Sequence, residues 1–259
     1  MHAVAIVESW AGAQDDALSL AQGLGGGMTA LEMRMALSAT PPSVLFRTAS
    51  RERAEQAARA LEAGGVQALA VDLADVLPIE RMVHVHRFTL DAAGLRADAR
   101  GPTLAYDDIA AIVRVAAETS IVRRTREKEL ESVRGRATEV DVEHTRMERT
   151  VEQALFLFVG GEGVPWVLRA GEARYLALGP ALRATTVENF QVTVALLRER
   201  APRALYDERF ALHPLVRQAQ MHVRDHESAA PDLGDAGVDV RLHLLARALL
   251  RRTGEGPYR

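Results

Sequence analysis

An α+β fold is predicted for this 259-residue chain on three observations. Through about residue 72, short β-branched runs alternate with alanine-rich stretches at helical spacing. From residue 78 to 202 the pattern changes to period-two alternation, broken by Asp/Gly turns and closed by one capped amphipathic helix. Beyond residue 203 helical spacing returns between prolines, as a tail. The expected units are residues 1–75, a small two-layer α/β domain; 78–202, a mostly antiparallel β domain with a C-terminal helix; and 203–259, a helical tail.

In the first unit, "AVAIVES" reads as a strand and "DDALSLAQGLGGG" as a helix ended by glycines. "TALEMRMALSAT" is a second helix, with Leu31, Met35 and Leu37 expected on or near its buried side and Pro41-Pro42 as its stop. "SVLFRT" is a strand. Ser50 caps "RERAEQAARALEAGG", where Ala54, Ala57, Ala58 and Leu61 make a stripe at i, i+3, i+4, i+7. Gly64-Gly65 ends that helix and "VQALAVD" is the last strand, giving the order β-α-α-β-α-β.

In the second unit, "RMVHVHRFTL" alternates as one strand, with Val83, Val85, Arg87 and Thr89 on one face and His84, His86, Phe88 and Leu90 on the other. "DAAG" turns the chain into "LRADAR". After Gly101-Pro102, "TLAYDDIAAIVRVAAET" supplies another strand; "VEQALFLFVGG" and "VPWVLRA" form an apolar hairpin. Thr185 and Glu188 make a capping box for "VENFQVTVALLRER", whose Val187, Phe190, Val194 and Leu197 line one side. In the tail, Pro214 and Pro231 break the chain before "GVDVRLHLLARALLRR", a short helix with Val238, Leu242, Leu245 and Leu249 at helical spacing.

The stretch "GMTALEMRMALSATPPSVLFRTASRERAEQAARALEAGGVQALAVD" resembles the C-terminal domain of the bacterial ribosomal stalk protein. A glycine precedes the second helix, proline precedes the strand, Ser50 starts an alanine-rich helix, and a glycine pair turns into a β-branched strand. The resemblance implies the fold. Stalk proteins contact translation factors through a lysine-rich surface on the first two helices, whereas here those helices carry Asp15, Asp16, Gln22, Glu32 and Arg34 and no lysine. No binding residue is carried over. The same shape serves adaptor proteins of the Clp protease, which suggests protein binding by analogy. The segment "RFTLDAAGLRADARGPTLAYDDIAAIVR" resembles the first strands of a pleckstrin-homology-like barrel, with the 185–200 helix as its closing helix.

Composition excludes several chemistries. With no cysteine there is no disulfide, thiolate site or cysteine nucleophile. A formal net charge of -3 gives no global pull toward nucleic acid or an anionic membrane. The N-terminal "MHAVAIVESW" lacks the basic start of a signal peptide, and no apolar run approaches a bilayer span, so a cytoplasmic bacterial protein with no membrane insertion is expected. "GLGGGM" lacks the last glycine of a dinucleotide fingerprint, and no P-loop or Gly-x-Ser-x-Gly elbow is present. Asp232, Asp235 and Asp239 lack calcium-loop spacing. No cofactor is expected.

One motif points to metal. "MHVRDHE" puts His222 and His226 four residues apart, on one face if helical, with Asp225 between them in a loose likeness to the inverted zinc-protease motif. Asp225 is one methylene shorter than the usual glutamate base. A third ligand would have to come from His84 or His86, in another unit. The plainer reading, surface histidines on a polar segment, is preferred. The segment 120–150 is half charged, eight basic against seven acidic residues, and reads as a long hairpin or excursion between strands. Its alternative is an arginine-led contact through Arg123, Arg124, Arg126, Arg134 and Arg136 to an acidic or phosphate-bearing partner. The acidic "LDAAGL" loop argues against phosphoinositide, and sparse aromatics argue against nucleic acid. The expected function is a non-catalytic adaptor or scaffold that binds a protein partner. A metal-dependent hydrolase or metal-binding regulator on His222 and His226 is one alternative, and arginine-mediated nucleic-acid binding is another.

Overall fold

The computed structural model describes the backbone of residues 1–9, 12–24, 28–39, 41–133, 136–161, 163–212, 215–219 and 236–252, and their side chains except at 117–150, 215–219, 236–239 and 252. It is mixed α+β with several sheets.

The first unit contains β1 (His2–Glu8), α1 (Ala17–Gly23), α2 (Ala30–Ser38), β2 (Ser43–Thr48), α3 (Arg51–Ala63) and β3 (Gln67–Asp72). The strands form an antiparallel sheet in the order β2-β1-β3. Ser50 caps α3 by accepting from the Arg53 amide, and Ala54, Ala57, Ala58 and Leu61 are buried as the stripe predicts. Thr29 and Glu32 make a reciprocal capping box on α2. The face of α2 differs from expectation. Met33 and Leu37 are buried, while Leu31 and Met35 are 64% and 66% exposed. A nine-residue helix packs one narrow stripe, and residues 31 and 35 lie across the helix from 33.

The second unit begins with β4 (Val83–His84), β5 (Phe88–Leu90), β6 (Leu95–Ala97) and β7 (Thr103–Leu104). It continues with β8 (Ile109–Val133), β9 (Arg136–Val159), β10 (Trp166–Arg169) and α4 (Thr186–Arg200), and β11 (Leu205–Asp207), α5 (Arg209–Leu212), β12 (Leu215–Ala219) and α6 (Ala236–Arg252) follow. The single strand expected over 81–90 divides in two. β4 pairs with β10 in a six-stranded sheet ordered β11-β8-β9-β10-β4, with β12 also on β8; β5 pairs with β6 in a separate sheet, β5-β6-β7. Val85 and Phe88 are both buried, so the alternation breaks between the two sheets. In the 91–94 turn, the Asp91 carboxylate accepts from the amides of Ala93 and Gly94.

Among the described residues these sheets are open, where a closed barrel was expected. Both faces of the large sheet are apolar: on β8, consecutive Ala111, Ile112 and Val113 are each at most 1% exposed. In a barrel one face of every strand turns inward and the other outward. Here one face packs on α4 through Phe190, Val194 and Leu197, with the small sheet beside it. The other face is covered by α6, whose Leu242, Leu245, Ala246 and Leu249 meet Val113, Phe156 and Phe158. Val187 at the start of α4 is exposed, so the helix's buried face begins one turn later than its spacing suggests.

The residues expected as a tail are therefore structural. β11 and β12 extend the large sheet, and α6 lies between the two units. Its Val240 and Leu244 pack on Ala5 and Val71, the outer face of the first sheet. Arg241 Nε donates to the Pro42 carbonyl at 3.0 Å, Arg251 pairs with Glu62 at 2.8 Å, and His243 Nε2 donates to the Leu77 carbonyl at 3.0 Å. The layers run α1–α3, first sheet, α6, large sheet, then α4 with the small sheet. Among the described residues no helix is long and apolar enough to cross a membrane.

Candidate functional site

Two features stand apart from the packed layers: a β arm and a histidine pair.

The arm is the distal half of the β8–β9 hairpin. The strands pair without interruption from Ala117↔Glu152 to Val133↔Arg136, a ribbon of roughly 55 Å at about 3.3 Å per residue. β12 covers the β8 edge only over Ala117–Ile121, and β10 pairs with β9 only over Ala154–Leu157. Beyond those limits no other described strand pairs with the arm. Over 120–133 and 136–150 the charged segment is therefore ladder, the long hairpin of the sequence reading and not the excursion. Arg123, Arg124, Arg126 and Arg136 occupy backbone positions along it. Arg134 lies outside the described residues.

The histidine pair sits on the edge of the large sheet. β4 runs parallel to β10, with the Val85 amide bonded to the Val167 carbonyl. Val85 is buried, and its neighbours His84 and His86 alternate to the opposite side, their rings stacked at 6.1 Å and 21°. After β10 the chain makes a tight turn, Glu172 and Ala173 both donating to the Arg169 carbonyl, and returns to the edge strand where Arg174 donates to the His86 carbonyl at 2.7 Å. That turn sets Glu172 beside the histidines. His86 Nδ1 lies 3.4 Å from Glu172 Oε2, while Arg169 Nη1 donates to Glu172 Oε1 at 3.1 Å. His84 Nε2 is 2.9 Å from the Ile79 carbonyl. A carbonyl only accepts, so that nitrogen carries the proton and Nδ1 of the neutral ring keeps its lone pair. One ligand atom from each of His84, His86 and Glu172 falls within 4.8 Å of the others, a set able to hold a metal ion.

The other sequence candidates are placed differently. His222, His226 and Asp225 lie outside the described residues, as do Asp232 and Asp235. Of "GLGGGM", Gly23 ends α1 and Leu24 is its C-cap, as a helix-ending turn requires. A depression of about 430 Å³ at the start of α4, lined by Arg183, Val187, Glu188, Gln191 and Val192, is open to solvent, and its Glu188 is engaged in the capping box. Glu172 was not visible in the sequence. "HVH" is a readable pair, but only the parallel pairing of β4 with β10 brings in the turn that carries its acidic neighbour.

No protein-family model matches the chain, and neither does any curated protein or solved structure.

Proposed function

We propose that this chain is a non-catalytic interaction scaffold that binds a protein partner along the arm formed by β8 and β9. One observation carries the reading: a ladder-paired ribbon that runs past the last described strand flanking it on either side. A two-stranded ribbon alone is marginally stable in water, and its outer edges present rows of backbone donors and acceptors. An extended partner segment satisfies them by adding a strand, with affinity from the main chain and selectivity from side chains. The nearly balanced charge of segment 120–150 suits a protein surface of mixed sign better than a polyphosphate.

The finer fold readings support the same function by analogy. The first unit has the β-α-α-β-α-β order of the stalk-protein domain and of Clp adaptors, which bind proteins. The pleckstrin-homology-like reading rests on strands followed by one capped helix, and its sheets are open here. In this reading the protein is cytoplasmic.

The test shortens the arm without touching the layers. Arg123 and Arg146 are partners of the same pair class as Val133 and Arg136, the last described pair of the ladder. Replacing residues 124–145 by Asn-Gly therefore closes a hairpin of the same kind below the tip. Affinity capture from the native cell, run in parallel with both proteins, is expected to lose the partner from the shortened form at unchanged melting temperature. Recovery of the same partner by both forms would refute the proposal.

A further inference from the structure

We infer that His84, His86 and Glu172 form a site for a divalent cation of the zinc class, held between the edge strand β4 and the turn after β10. Three features fit that chemistry. The donors are two imidazoles and one carboxylate with no thiolate, the set that suits zinc, nickel, cobalt or copper(II) and not calcium or magnesium, which take oxygen ligands.

The spacing also fits. A tetrahedral ion with bonds of about 2.0–2.1 Å holds its ligand atoms about 3.4 Å apart, and the His86 Nδ1 to Glu172 Oε2 separation is 3.4 Å. All three ligand atoms lie within 4.8 Å of one another, so binding draws the remaining donor inward. The His86 and Glu172 side chains are 59% and 40% exposed, so each has room to turn.

Outer contacts are already in place. The Ile79 carbonyl fixes the His84 tautomer with Nδ1 unprotonated, and Arg169 orients the carboxylate by holding Oε1 while Oε2 faces the rings. An alternating His-x-His on a strand sets both rings on one side, and the parallel neighbour supplies the acid. The fourth position is left to water.

The site is separate from the arm, so its failure leaves the scaffold reading intact. Full-length protein stripped of metal is titrated with cobalt(II), followed by visible absorption, and then with zinc in competition with a chromogenic chelator. The expected result is one equivalent of zinc bound, with the cobalt adduct showing the intense d–d bands of a tetrahedral ion. Affinity should fall by at least about 10–100-fold, the loss typical even of outer-contact mutations, in both His86→Ala and Glu172→Gln. Both side chains are solvent-facing, and an unchanged circular dichroism spectrum identifies the folded variants. A double variant His222→Ala/His226→Ala is expected to bind as the wild type does. The inference is overturned by no stoichiometric binding, by binding that survives both substitutions at the site, or by binding lost in the double variant, which would place the ion in "MHVRDHE".

Discussion

His243 makes stability depend on pH, and the size of the effect follows from its surroundings. The ring lies on α6, 1% exposed, edge-on to Phe158 with centroids 5.5 Å apart, and donates to the Leu77 carbonyl. Burial pushes its pKa down from 6.5 to about 4; the hydrogen bond to Leu77 opposes this and the nearby Arg247 reinforces it. The folded ring is thus neutral where the unfolded ring is charged. Between those two values the unfolded state binds the extra proton, so stability is complete above pH 6.5 and is lost as the pH falls toward 4. At pH 5 the unfolded ring is almost fully protonated and the folded ring mostly neutral. The loss relative to pH 7.5 is about 2 kcal/mol at 1.36 kcal/mol per pKa unit, a roughly thirty-fold rise in the unfolded population. Urea denaturation at both pH values, read by circular dichroism, measures it against His243→Gln, which keeps a donor for the Leu77 carbonyl but has no proton to gain. The wild type should lose about 2 kcal/mol more than the variant over this interval. Equal losses in the two proteins would show that the ring is not held neutral, and would refute the burial argument.

Two further perturbations test the packing. Leu244, fully buried where α6 meets the first sheet, should cost about 2–5 kcal/mol as Leu244→Ala in chemical denaturation; a loss under about 1 kcal/mol would mean the helix does not serve that sheet. Gly94 has φ +156° and its missing Cβ would run into the Leu104 carbonyl, so Gly94→Ala should displace β7 from β6 and lower the melting temperature by several degrees, at about 1–3 kcal/mol. An unchanged melting temperature would contradict that geometry.

Local signals were legible where they depend on neighbours in sequence. The Ser50 cap, the alanine stripe of α3, the Thr185–Glu188 box and the Asp91 turn all follow from spacing within a few residues. Long-range burial was not. "AVAIVES" reads as a strand in a two-layer unit, yet Ala3, Val4, Ala5 and Ile6 are all fully buried because α6 covers the second face. The clue was present: an unbroken apolar run fits a strand buried on both sides. The periodicity of "RLHLLARALL" likewise marks a helix with one apolar stripe, but the helix serves two sheets, and its histidine is core. In "RMVHVHRFTL" the alternation is continuous although the chain changes sheets after His86, since period two reports faces and not partners. For the candidate metal site, the paired histidines were readable and Glu172 was not, because parallel register between β4 and β10 has no local signature.

The position of α6 also sets an order of events during synthesis. The first sheet and the central strands β8, β9 and β10 of the large sheet all precede residues 236–252 in the chain, yet without that helix each shows water an apolar surface, Ala5 with Val71 on one and Phe156 with Phe158 on the other. Of the described helices α6 is the latest in the chain, and it is the wedge that closes both. Until it docks, the nascent protein carries two exposed sheet faces at once, the condition under which chains associate wrongly and holding chaperones act.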